Sequence, residues 1–210
     1  MKQKAIKPSD TQSTGKYQNL LTDFGFKFTF RQERFLISFL NELLQGEERI
    51  TSIKLLNTEQ LGKTEKDKHV IFDIFCENER GEKILLEMQN LYQKHFLDRS
   101  IYYSSHLIQQ QAVKGEKDFH LNAMYVIGVL NFTPAEMKDD VSPICRSQLV
   151  NTETGNVIFK KLNFIYVTFQ TLCNLLTIKK KPNTFNVSGN KWVTKPPLLL
   201  LFYQTSLEQM

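Results

Sequence analysis

His69-Val-Ile-Phe-Asp-Ile-Phe-Cys76 and Lys83-Ile-Leu-Leu-Glu-Met-Gln89 flank the segment Asn78-Glu79-Arg80-Gly81, and the fold turns on this stretch. The first run is β-branched and aromatic, the second is apolar, and the segment between them is turn-forming, so the pair reads as a β-hairpin. With the turn centred near residue 80, opposed residues have numbers summing to about 160, and Asp73 and Glu87 meet that sum within a residue of slip. Opposed residues on antiparallel strands place their side chains on one face, roughly 4.5–5.5 Å apart at Cβ. Gln89 lies two residues beyond Glu87 and shares its face. Paired carboxylates in an apolar hairpin repel each other and resist burial. A divalent cation settles both difficulties, because Mg²⁺ takes one or two carboxylates together with waters and phosphate oxygens. The plainer alternative is a pair of sheet-edge charges, or charges neutralised by a nearby Arg or Lys.

Outward from the hairpin the elements are legible. Arg31 to Gln45 carries Phe35, Leu36, Phe39, Leu40, Leu43 and Leu44 at spacings of one, three and four, one face of an amphipathic helix that stops at Gly46. Ile50 to Glu59 holds a short strand. Tyr92 to Val113 has no Gly or Pro and reads as a long helix ending at Lys114-Gly115. Asn122 to Phe132 is an apolar strand suited to the middle of a sheet, and Cys145–Val150 with Asn156–Phe169 form a further pair around Asn151–Gly155. The order predicts an α+β fold, a mixed sheet with helices packed on it.

The chain has 210 residues, 41% of them hydrophobic and 11% aromatic, enough for one domain with a substantial core. No apolar run reaches the roughly 18–20 residues of a membrane helix. No apolar segment follows the lysines of residues 1–16, so a secretory leader is not expected. Cys76, Cys145 and Cys173 are odd in number and widely spaced, which excludes a disulfide framework or a cysteine zinc knuckle and suits a reducing cytoplasm. The net charge of +5 sits at the ends: residues 1–19 carry +3, residues 171–210 carry +4, and the remainder is −2. Residues 1–18 therefore read as a polar lead-in, 19–168 as the folded domain, and 169–210 as a basic tail with neither helical nor strand periodicity.

Arg99, Tyr103 and His106 stand four and three residues apart, which places them on one helix face beyond Gln89. Arg99 could grip a phosphate with its planar fork. Equally, Tyr103 could be core and Arg99 could pair with a hairpin carboxylate. Asp23, Glu33 and Glu59 are candidates for a third carboxylate, and Glu59 has the best claim because it closes the short strand before the hairpin. No P-loop, GxGxxG or Ser-His-Asp order supports nucleotide binding or acyl transfer.

Asp73, thirteen intervening residues, and Glu87-Met88-Gln89 in a strand–turn–strand resemble the D…(D/E)xK signature of the PD-(D/E)XK nuclease superfamily. The closer likeness is to its PD-(D/E)XK nuclease family transposases, the Rpn-like recombination-promoting nuclease branch. Leu21-Thr-Asp-Phe-Gly-Phe-Lys27, Phe39-Leu-Asn-Glu-Leu-Leu44, Phe72-Asp-Ile74, Leu86-Glu-Met-Gln89 and Phe96-Leu-Asp-Arg99 followed by Tyr102-Tyr103 carry it, over roughly residues 20–167. The resemblance implies a restriction-endonuclease-like core. It also implies Asp73 and Glu87 as Mg²⁺ ligands, with Mn²⁺ possible, and, because superfamily members often add an acidic residue from the first helix or the following strand, it makes Glu59 the candidate for a further ligand. Gln89 takes the position usually held by lysine, where it can orient a water but carries no charge.

The resemblance leads to the expectation of an Mg²⁺-dependent DNA endonuclease of a mobile element, with DNA as partner and no membrane. Its rival is a non-catalytic DNA-binding or interaction remnant. The rival rests on the tail: family members continue after the last strand with an acidic, leucine-rich stretch, whereas this chain turns basic and Pro-containing after Thr168, as a truncated or frame-shifted copy would.

Overall fold

The computed structural model describes residues 22–44, 49–60, 70–112, 120–140 and 142–168. The 1–18 lead-in and the 169–210 tail lie outside the described residues.

Two helices open the described chain, α1 (Asp23–Phe30) and α2 (Glu33–Leu44). Thr22 caps α1 through its hydroxyl, which accepts from the Gly25 N–H at 3.0 Å. Phe26 and Phe30, fully buried one turn apart, fix the rotation of α1 and pack against Phe39 of α2. The apolar spacing that predicts a helix over 31–45 matches α2 within two residues at each end. Helix α3 (Phe96–Gln111) starts four residues later than Tyr92 and carries the other cover of the sheet.

A six-stranded sheet runs β1 (Ile53–Leu55), β4 (Ile74–Asn78), β5 (Lys83–Gln89), β6 (Met124–Leu130), β8 (Val157–Thr168) and β7 (Ile144–Val150) in that spatial order. The pair β5–β6 and the pair β6–β8 are parallel and the other neighbours antiparallel, so β6 is central, as its apolar sequence requires. A separate ribbon pairs β2 (Glu59–Gln60) with β3 (Val70–Ile71). Thus each of the two runs expected to be single strands, 50–59 and 69–76, is divided in two.

Alternating side chains divide the core between the two sheet faces. Ile74, Cys76, Ile84, Leu86, Ile127 and Val129 pack with α1 and α2. Phe75, Leu85, Val126 and Phe164 pack with Phe96, Tyr103 and Leu107 of α3. Helices therefore cover both faces of one mixed sheet. This is the expected α+β class, in an arrangement consistent with a restriction-endonuclease-like fold.

Candidate active site

Phe72 and Asp73 interrupt the strand between β3 and β4, and that break makes the site. Val70 and Phe72 belong to the α3 side of the core, whereas Ile74 and Cys76 belong to the α1–α2 side, so the inside–outside alternation shifts across Asp73. The hairpin register is the one the turn predicts, with Ile74 opposite Leu86 and Phe75 opposite Leu85. Its turn residue Gly81 has φ +74°, a left-handed conformation natural to glycine.

Asp73 stands one residue before this ladder and meets Glu87 by other means. The Asp73 N–H donates to Glu87 Oε1 at 3.0 Å, and Asp73 Oδ2 accepts from the Met88 N–H at 2.9 Å. Each carboxylate thus takes a backbone donor from the other strand. On β5 the site side is held by Asn131, whose N–H donates to the Gln89 carbonyl at 2.9 Å. Gly128 lies in register with Glu87, and the space a side chain would take there is filled by the rings of Phe96 and Tyr166.

A cation reaches each carboxylate. Lys27 on α1 sits 3.1 Å from Asp73 Oδ1 and 2.6 Å from Asp23 Oδ1. Arg99 on α3 places Nη2 3.0 Å from Glu87 Oε2. The remaining guanidinium donors are also engaged: Nε donates to the Tyr103 hydroxyl at 2.5 Å, and Nη1 to Gln93 Oε1 at 2.8 Å and Gln89 Oε1 at 3.4 Å. Tyr103 is itself buried, its ring edge-on to Phe72. The plainer alternative at these positions is therefore present, an Arg–carboxylate pair beside a core tyrosine.

The electrostatics follow from this packing. Burial, and then the negative charge of Asp73, push the Glu87 carboxyl up to about 7 although Arg99 opposes them. Burial works against the Lys27 ammonium, but its hydrogen bonds to Asp23 and Asp73 outweigh that and raise it above the ordinary lysine value. Tyr103 is raised by burial and by Glu87.

Not every candidate joins the site. Glu59 lies opposite Ile71 in the β2–β3 ribbon, and among the described residues no group of three His, Cys, Asp or Glu could hold a metal ion. Glu33 Oε1 instead accepts from the Ile53 N–H at 3.4 Å. His106 packs edge-on against Tyr102, its imidazole lowered by burial. Asp23 reaches the pair only through Lys27. Lys27 is not among the residues that the sequence singles out for the site. The 45 residues between it and Asp73 leave no spacing signal, though it ends the Leu21–Lys27 stretch that carries the resemblance.

Two converging carboxylates and an amide suit Mg²⁺, which needs only one or two protein carboxylates and fills its octahedron with water and phosphate oxygens. They do not make a closed structural cage, which would need about four protein ligands. An open cleft lined by Gln93, Lys94, His95, Asp98, Arg99 and Tyr102 abuts the pair through Arg99; Lys94 adds a cation to it and Asp98 an anion beside His95. No described helix is long and apolar enough to cross a membrane.

Residues 20–194 match the family described as PD-(D/E)XK nuclease family transposase. The match runs past residue 167, so the basic segment up to Thr194 falls within the family's span rather than outside it. No curated protein and no solved structure matches the chain.

Proposed function

Because the chain belongs to the PD-(D/E)XK nuclease family transposases, we propose that it is an Mg²⁺-dependent DNA endonuclease, able to use Mn²⁺, that serves a mobile element. The single observation that carries this reading is the reciprocal contact of Asp73 and Glu87 at the strand break, beside an open cleft.

Asp73 and Glu87 are the proposed ligands, and Glu59 is left out because it is not grouped with them. When bound there, the metal supplies Lewis-acid polarisation of the phosphate and a more acidic water. The other roles belong to the chain. Glu87 takes part as the carboxylate, so its proton has to leave first. Gln89, whose Oε1 is held by Arg99, orients the attacking water. Arg99 keeps Glu87 in place through its planar fork, whose other nitrogens are held by Tyr103, Gln93 and Gln89. Hydrolysis then proceeds in line, the water oxygen joining phosphorus as the ester oxygen departs opposite to it.

Nicking of supercoiled plasmid tests this reading. Wild-type protein with Mg²⁺ should nick and the Asp73→Ala protein should not; equal activity of the two, with both soluble and folded, overturns it.

A further inference from the structure

The hairpin lacks a positive charge where the reaction needs one. Charge builds on the phosphate oxygens as phosphoryl transfer proceeds, and preorganised cations or donors aimed at that charge are the largest single contribution in many such sites. Gln89 is neutral. Arg99 is charged, but each of its three nitrogens already has a partner: Glu87, Gln93 with Gln89, and Tyr103.

Lys27 is charged as well, and it is held differently. It approaches from the opposite face of the sheet, on a helix whose rotation is fixed by fully buried Phe26 and Phe30. Its ammonium has three donors, two of them directed at Asp23 and Asp73. Its four-carbon stem is flexible and 28% exposed, so the head can move by a few ångströms without disturbing the core. Asp23 is 71% exposed and stands one helical turn before Lys27, where it can keep hold of the ammonium when Asp73 is otherwise engaged.

We propose that Lys27 is the phosphate-contacting cation of this site, supplying from α1 the charge that Gln89 cannot supply from β5. The proposal rests on the endonuclease reading above and adds a catalytic residue to it. In the metal-free protein the Lys27 ammonium is the cation on Asp73 Oδ1. With Asp73 Oδ1 engaged by a divalent ion, the Lys27 ammonium would be free to turn to a non-bridging phosphate oxygen, with Asp23 as the positioning residue that limits its travel. The bond changes remain those of hydrolysis: one O–P bond forms from water, which gives up a proton to solvent, one ester P–O bond breaks, and the departing oxygen gains a proton from solvent. Lys27 keeps its proton throughout.

This assignment gives two effects of opposite sign, which a structural lysine would not. Lys27→Met keeps the aliphatic stem and removes the charge. Its single-turnover nicking rate with Mg²⁺ should fall about 100- to 1,000-fold, while Mn²⁺ binding to the DNA-free protein, measured by calorimetry, should hold or tighten because a competing cation is gone. Adding Gln89→Lys to that variant should restore much of the rate by returning the charge to the hairpin, and Lys27→Arg should retain part of it. Wild-type-like nicking by Lys27→Met overturns the inference and leaves the endonuclease reading standing. Loss of Mn²⁺ affinity together with nicking also overturns it, since Lys27 would then be holding the carboxylates in place. Wild-type protein that does not nick at all overturns both.

Discussion

Asp73 and Glu87 are joined reciprocally, each carboxylate accepting a backbone N–H from the opposite strand, Asp73 N to Glu87 Oε1 at 3.0 Å and Met88 N to Asp73 Oδ2 at 2.9 Å. Like charges are thereby kept close by donors they do not have to share. Both strands contribute to the hold, so either carboxylate has a structural role separable from its chemistry.

Asp73→Asn keeps an acceptor for the Met88 N–H, whereas Asp73→Ala leaves that partly buried donor without a partner. The alanine variant should lose about 1–3 kcal/mol of stability in urea unfolding, the asparagine variant clearly less. Both should lose nicking, which separates the structural part from the chemical one.

Glu87 sets a pH dependence whose sign is fixed. Its carboxyl is pushed up to about 7 in the folded protein by burial first and Asp73 second, against roughly 4.3 in an unfolded chain. Between those values the folded state holds a proton that the unfolded state has released. The stability from this group is therefore full below about pH 4.3 and declines until about pH 7, by roughly 4 kcal/mol at most. Urea midpoints of metal-free protein at pH 5 and pH 8 should show that decline, and Glu87→Gln should abolish it. Mn²⁺ affinity should run the other way, weakening about tenfold per pH unit below 7 as the proton competes.

Arg99 partners a nearly enclosed carboxylate, for the Glu87 side chain is 4% exposed. Arg99→Ala should cost about 1–3 kcal/mol at pH 8, because Glu87 then sits buried without its cation, and less at pH 5, where Glu87 carries a proton. Arg99→Lys should recover little, since one ammonium cannot replace a fork shared by Glu87, Gln93, Gln89 and Tyr103. Thermal midpoints at the two pH values check both statements.

Gly128 is a packing test beside the site. A Cβ there would come within 2.8 Å of the Phe96 ring and 3.0 Å of the Tyr166 ring, both of them buried. Gly128→Ala should cost about 1–3 kcal/mol through overpacking, readable as a lowered urea midpoint.

Much of the fold is legible from local pattern. The turn at Asn78–Gly81 fixes the hairpin register, so Ile74–Leu86 pairing follows from arithmetic on residue numbers. The spacing of Leu36, Phe39, Leu40 and Leu43 gives α2 because those four are the buried ones. Helix α1 is hidden by its own sequence: Phe24, Phe26, Phe28 and Phe30 alternate with period two, as in a strand, yet only Phe26 and Phe30 are buried. Thr22 capping and the packing of those two rings decide for helix. The break at Asp73 is equally hidden, since Val70 to Cys76 is an unbroken run of strand-forming residues apart from Asp73 itself. Lys27 and Arg99 reach the carboxylates from opposite faces of the sheet, a juxtaposition that only the tertiary fold creates.

Anomalous diffraction from crystals soaked in Mn²⁺ at pH 8 shows whether the carboxylate pair holds a metal. One peak is expected, bonded to oxygens of both Asp73 and Glu87 at about 2.1–2.2 Å, with the Lys27 ammonium displaced from Asp73 Oδ1. No peak between them, with Lys27 still on Asp73 and Arg99 still on Glu87, would contradict the metal site and leave the pair as a purely structural charge network.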